Sequence, residues 1–155
     1  MSKSIRRVQA AAEAAGLEIE VKRMGESTRT AEEAAAQCGC SVAQIVKSLI
    51  FQGEESGKLY LFLVSGSRQL ALDKASALVG EALKRADPRH IREVTGFAIG
   101  GVSPLGQPDD VLRFGDESLL GYDVVWAAAG AHDAVFSAMP GALFDAASVK
   151  RADIA

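Results

Sequence analysis

Val46-Lys47-Ser48-Leu49-Ile50-Phe51 and Leu59-Tyr60-Leu61-Phe62-Leu63-Val64 are two apolar runs separated by the polar insert Gln52-Gly53-Glu54-Glu55-Ser56-Gly57-Lys58. Each run has the length of a strand rather than of a helix and carries β-branched and aromatic residues. Two such runs around a glycine-bearing insert read as a hairpin with a long polar loop. Their near-continuous hydrophobicity assigns them to the middle of a sheet.

Working outward toward the N-terminus, Ser41-Val42-Ala43-Gln44 and Thr30-Ala31-Glu32-Glu33 are capping boxes, so two short helices are expected, broken at Cys38-Gly39. Glu18-Ile19-Glu20-Val21-Lys22 alternates polar and apolar, the period of a half-buried strand. Before it, Val8, Ala11, Ala12 and Ala15 fall at helical spacing between a cap at Ser4 and a stop at Gly16.

Toward the C-terminus, Asp73 opens a helical stretch to Ala86, with a break possible at Gly80 and a stop at Asp87-Pro88. Strands are expected at His90 to Glu93, Val124 to Ala128, Ala134 to Ala138 and from Val149, with a short helix at Gly141 to Ala147. This irregular alternation specifies an α/β protein of the α+β type, a mixed, curved sheet with peripheral helices rather than a doubly wound parallel sheet.

The 155 residues fall within the range of one domain, and 48% apolar with 24% charged residues is ordinary globular composition. The segment after the basic N-terminus is too polar for a signal peptide and no apolar run reaches the length of a membrane span, so a cytoplasmic protein is expected. Cys38 and Cys40 are too close for a structural disulfide and wrongly spaced for half a zinc site. A formal charge of −3 argues against indiscriminate coating of nucleic acid but leaves room for docking one RNA end.

Standard catalytic sets are missing. His90 and His132 have no ligand-spaced partners, so no metal or other cofactor is expected. There is no nucleophile elbow, Walker loop or dinucleotide fingerprint. Ser103, His132 and Asp123 make a triad only on paper. Two features stand out. Lys47 interrupts an apolar run and, in an extended segment, shares a face with Leu49 and Phe51. It is either an edge lysine reaching water or a cation at a pocket wall that holds a phosphate or carboxylate. Thr95-Gly96-Phe97-Ala98-Ile99-Gly100-Gly101-Val102-Ser103-Pro104-Leu105-Gly106 is built of small residues around a stiffening proline. It is either a tight turn or a loop that aims several N–H groups at a developing oxyanion.

Taken together, Ile45 to Ile50, Gly100-Gly101-Val102-Ser103-Pro104 and Tyr122 to Gly130 resemble the YbaK/EbsC family, relatives of the editing domain inserted in bacterial prolyl-tRNA synthetases. The likeness spans nearly the whole chain and implies a single YbaK-like editing domain over residues 1–155. It implies a free-standing deacylase acting on mischarged tRNA, with tRNA(Pro) carrying an alanyl, cysteinyl or similar small residue as substrate. The tRNA acceptor end is then the partner, and a synthetase is a further partner the resemblance admits. The family lysine maps onto Lys47 and engages the terminal phosphate; the family G-x-x-x-P loop maps onto Gly100, Gly101, Val102, Ser103 and Pro104 and holds the aminoacyl carbonyl and attacking water. A ribose hydroxyl or the substrate's own side chain assists, which accounts for the missing general base. Lys47, with an ordinary pKa of about 10.4, is a cation rather than a base. Phe97, Ile99 and Val125 are candidates for the pocket lining, although apolar residues in such segments also serve the core. Competing readings are a non-catalytic tRNA- or synthetase-binding module and a small-molecule esterase.

Overall fold

The computed structural model of the protein describes residues 2–25 and 30–155. The hairpin forms as its sequence requires. β2 (Val46–Gly53) and β3 (Leu59–Ser65) pair antiparallel, with Lys47 opposite Val64, Leu49 opposite Phe62 and Phe51 opposite Tyr60. They are interior strands of a five-stranded sheet ordered β4-β2-β3-β5-β8, where β4 is Leu83–Arg85, β5 Leu112–Asp116 and β8 Lys150–Ala152. β4 pairs antiparallel with β2, whereas β3, β5 and β8 run parallel, which makes the sheet mixed. A three-stranded antiparallel sheet holds β1 (Lys22–Arg23), β7 (Ala134–Ala138) and β6 (Val125–Ala128), in the order β1-β7-β6. A parallel bridge from Ile45 to Trp126 joins it to the start of β2.

The period-2 geometry of β3 explains its unbroken hydrophobicity. Leu59, Leu61 and Leu63 enter the main core, while Tyr60, Phe62 and Val64 enter a second core on the other face. The main core is covered by α1 (Lys3–Ala14) through Ile5, Val8 and Ala12, by α4 (Pro88–Thr95) through Ile91, and by α5 (Pro140–Ala146) through Leu143 and Phe144. The second core is closed by Ala75 of α3 (Leu72–Val79) and by Ile154. A small third cluster sets Ala34 and Ala35 of α2 (Ala31–Cys38) against Ile45. No helix of the described residues is long and apolar enough to cross a membrane.

Several expectations are corrected. α1 is capped by Ser2, whose Oγ accepts from the Ile5 N–H at 3.1 Å, not by Ser4. In the alternating segment from Glu18, Leu17, Ile19 and Val21 do pack against the core, but only Lys22 and Arg23 find ladder partners, in Val135 and Ala134. Alternation thus reports a half-buried extended chain, and a ladder needs a facing edge as well. The helix from Asp73 does not continue to Ala86. Gly80, at φ +82°, ends it and the chain enters β4. The strand expected at His90 to Glu93 is α4. Asp87 caps it, accepting from Arg89 N–H at 2.9 Å, and Pro88 sits at its first position, so Asp87-Pro88 begins a helix rather than ending one. β5 was not expected because Gly115 interrupts its apolar pattern; a Cβ there would lie 2.4 Å from the Phe144 ring.

Candidate functional site

The Lys47 side chain leaves β2 on the face shared with Leu49 and Phe51, near one end of the strand. Its Nζ donates to the Arg68 carbonyl. Burial pushes the ammonium below the ordinary lysine value, and nearby Glu32, in the first turn of α2, pulls it back up. β4 pairs only with Phe51 to Gly53, so Lys47 has a ladder partner on the β3 side alone, in Val64, and its ammonium is tethered to the Arg68 carbonyl.

The glycine-rich segment runs from α4 to β5 with no regular structure between Gly96 and Val111. Phe97, Val102 and Leu105 drop into the main core and Pro104 is buried, so the loop is pinned by its own apolar side chains. Gly100 adopts φ +89°, which L side chains resist. Gly101 has ordinary backbone geometry but no room. A Cβ there would lie 3.0 Å from the backbone of Gly130 and Ala131.

The donors of this loop differ in availability. The Gly101 N–H is spent on the Ala98 carbonyl at 3.0 Å, and the Leu105 N–H on Ser103 Oγ at 3.2 Å. Among the described residues, the N–H groups of Gly100, Val102 and Ser103 have no acceptor. Ser103 is completely buried, its Oγ serving the turn, while His132 and Asp123 are exposed; a serine triad is not assembled. Cys38 and Cys40 are free thiols, and burial, with Cys40 close by, pushes Cys38 up to about 11, the opposite of an activated nucleophile.

The apolar candidates separate. Phe97 and Val125 are 0% and 1% exposed and belong to the main core, so neither lines a surface, contrary to the expectation. Ile99, at 60%, is open to solvent. Lys47 and the loop are also separate anchors. Val102 and Leu105 belong to the core on the opposite face of β2 from Lys47, and among the described residues no hydrogen bond joins Lys47 to Gly100–Pro104.

Gln107 went unnoticed in the sequence. Its Nε2 donates to the Ser103 carbonyl at 2.8 Å, which fixes that peptide, while its buried Oε1 has no partner among the described residues. Ser48 Oγ, next to Lys47 but on the other face of β2, is likewise buried without a partner. Only an amide side chain amid glycines and prolines could have drawn attention to Gln107, and that is a weak signal. Among the described residues no three His, Cys, Asp or Glu side chains group in a way that could hold a metal.

Residues 25–146 match the family model of the aminoacyl-tRNA editing domain, a span that includes both Lys47 and the loop. The chain belongs to this family. The editing domain is 50% identical to a solved structure described as that of a candidate trans-editing enzyme for prolyl-tRNA synthetase, with a TM-score of 0.91 over 99% of this chain and 98% of that one. It is 31% identical to the uncharacterized protein YwhH of Bacillus subtilis over 79% of this chain and 78% of that protein. It is 40% identical to the proline–tRNA ligase of Thermosipho melanesiensis over 52% of this chain, but spans only 14% of that synthetase. The expected kinship with synthetase-associated editing domains, and the mixed α/β architecture that goes with it, are thereby shown.

Proposed function

We propose that residues 1–155 act as one free-standing editing domain that hydrolyses the ester of mischarged tRNA after the synthetase has released it. The observation that carries this reading is the pair of unengaged N–H groups at Gly100 and Val102, on a loop fixed by buried side chains in a member of the editing-domain family. Fixed donors aimed at a developing oxyanion need not reorganise during reaction, and one is worth about a hundredfold or more in rate.

In the proposed reaction, water attacks the ester carbonyl carbon and the carbonyl oxygen takes up the electron pair as an oxyanion, facing the Gly100 and Val102 N–H groups. The bond from carbon to the ribose oxygen then breaks. The proton lost by water ends on that ribose oxygen, giving free amino acid and uncharged tRNA. Lys47 holds the terminal phosphate as a cation. Because phosphate and ester carbonyl are different parts of the substrate, separate anchors on either side of β2 suit it. A neighbouring ribose hydroxyl or the substrate's own side chain relays the proton, since the loop offers no base. Gly100, Gly101 and Pro104 shape the backbone, Phe97 and Val125 back the wall, and exposed Ile99 touches the acyl group.

The substrate is proposed to be tRNA(Pro) carrying alanine, cysteine or a similar small residue, in keeping with the description of the structural relative and the likeness to proline–tRNA ligases. One methylene in an apolar pocket is worth only about 1–3 kcal/mol, so discrimination among small residues falls to few contacts. The test is a panel of labelled tRNA(Pro) charged with alanine, cysteine, serine, threonine or proline, alongside the matching aminoacyl esters without RNA. Release of non-proline labels that requires the acceptor end is expected. Equal turnover of the free esters would make the domain a general esterase, and retention of tRNA without turnover would make it a binding module.

A further inference from the structure

We propose that Arg7 of α1 is a positioning residue for the deacylation loop: its guanidinium clasps the two ends of the segment from Thr95 to Gly106 and thereby sets the aim of the N–H groups between them. The inference rests on reading that loop as the ester-binding element.

Arg7 Nε donates to the Gly106 carbonyl at 2.9 Å, and Nη2 donates to the carbonyls of both Thr95 and Gly106. These two carbonyls bracket the whole glycine-rich segment, and they are 88 and 99 residues away from Arg7 in the chain. The guanidinium carbon also lies 4.6 Å from the centre of the buried Phe97 ring, a cation–π contact that seats the side chain against the loop. Burial lowers the Arg7 pKa, as befits a cation drawn out of water into this seat.

The loop is shaped to admit the guanidinium. A Cβ on Gly96 would sit 2.1 Å from Arg7 Nη1, and one on Gly106 would touch Arg7 Cγ at 3.4 Å; both glycines have positive φ, at +79° and +83°. Those two positions thus do more than turn the chain. The helix carrying Arg7 is seated against the same region at its start, where a Cβ on Gly130 would meet the backbone of Ser4 at 2.8 Å, and the Gly130–Ala131 backbone in turn abuts Gly101. α1 therefore supports the loop at its two ends through Arg7 and in its middle through Gly130–Ala131. All of α1 precedes residues 25–146, the span that the family model matches, so the clasp comes from outside the matched region.

Arginine suits this place because a planar fork donates in several fixed directions at once, whereas a lysine offers one flexible point charge. A loosened clasp leaves substrate contacts at Lys47 intact but blurs donors that act in the transition state, so kcat falls while KM holds.

The experiment compares wild type, Arg7→Lys, Arg7→Ala and Arg6→Ala on the mischarged tRNA that wild type hydrolyses fastest, with amide hydrogen exchange of Gly100 to Ser103 read in parallel. Arg7→Lys, which keeps the charge and the aliphatic stem, is expected to lose about tenfold in kcat with little change in KM, a fraction of the value of one oxyanion donor. Its loop amides are expected to exchange faster. Exposed Arg6 is a control for general loss of charge on α1. Guanidinium ion at low concentration is expected to restore part of the kcat of Arg7→Ala, whereas in a merely destabilised protein this denaturant lowers the rate further. Wild-type kcat in both Arg7 variants, or losses confined to KM and not rescued, overturns the clasp. Absence of turnover by wild type itself overturns the loop reading beneath it, and is seen without reference to Arg7.

Discussion

The β2–β3 hairpin and the segment from Thr95 to Gly106 are both central to this domain, yet they are held by opposite means. In the hairpin every residue from Leu59 to Ser65 is buried, and seven consecutive pairs run from Val46–Ser65 to Gln52–Leu59. Order there comes from local pairing and from apolar side chains alternating between two cores. The glycine-rich segment has no ladder. It is ordered by Phe97, Val102 and Leu105 reaching into the core and by Arg7 reaching in from the first helix. An element held from outside can keep its own N–H groups unpaired, which regular structure forbids and a catalytic loop requires.

The comparison breaks most visibly in the hairpin. Phe62 is fully buried, and its ring stacks on Phe114 at 5.9 Å and meets Phe51 edge-on at 6.2 Å. Phe62→Ala is expected to cost about 3–5 kcal/mol of stability, read by denaturant unfolding. In the loop the larger effect falls on rate. Gly101→Val forces a side chain against the Gly130–Ala131 backbone and is expected to lower deacylation about a hundredfold, with a smaller stability loss than Phe62→Ala. An unchanged rate would remove the loop backbone from the chemistry.

Two smaller changes sharpen the contrast at places where local order needs only local groups. Thr30 Oγ1 accepts from the Glu33 N–H at 3.1 Å, and Thr30→Ala is expected to cost about 1 kcal/mol by the same measurement without altering turnover at saturating substrate. Glu81 closes the hairpin loop by accepting from Ser56 Oγ, the Ser56 N–H and Tyr60 OH, which hold its carboxyl down at about 2 against an ordinary 4.5. A depressed pKa means that its contribution is complete above the unfolded value and is lost as pH falls toward about 2. The melting-temperature difference between wild type and Glu81→Gln is thus expected at neutral pH and to vanish over that acidic range. A difference independent of pH would show that Glu81 acts by packing alone.

What was legible in the sequence follows the same division. The hairpin, the Thr30 cap, the turn at Ser41, β6, β7 and the last helix all write their order into neighbouring residues. Even there, only a single 3-10 turn follows Ser41, closed by Gln44 Oε1 accepting from the Ser41 N–H. β4 and β5 were hidden because three and five residues carry little periodicity; each is fixed by a partner strand distant in sequence. α4 was misread because Asp87-Pro88 both ends and begins helices, and only the Asp87 cap decides which. Lys47 and the Gly100–Pro104 loop could be singled out from residue type alone. The split of the loop into engaged and open donors could not, nor could the burial of Phe97 and Val125, because backbone direction is not a property of composition. Arg7 carries no such signal, since nothing near it in sequence marks its carbonyl partners.

The central claim is that a cation on β2 and an open backbone loop together hydrolyse an aminoacyl ester on tRNA. The most direct test is the single-turnover rate of Lys47→Ala against wild type, on the mischarged tRNA that wild type hydrolyses fastest, with melting temperatures measured for both. A loss of about a hundredfold or more at nearly unchanged melting temperature is the expected result, since Lys47 is only partly buried and donates to a single carbonyl. A wild-type rate in that variant would contradict the account, because no other part of it anchors the phosphate.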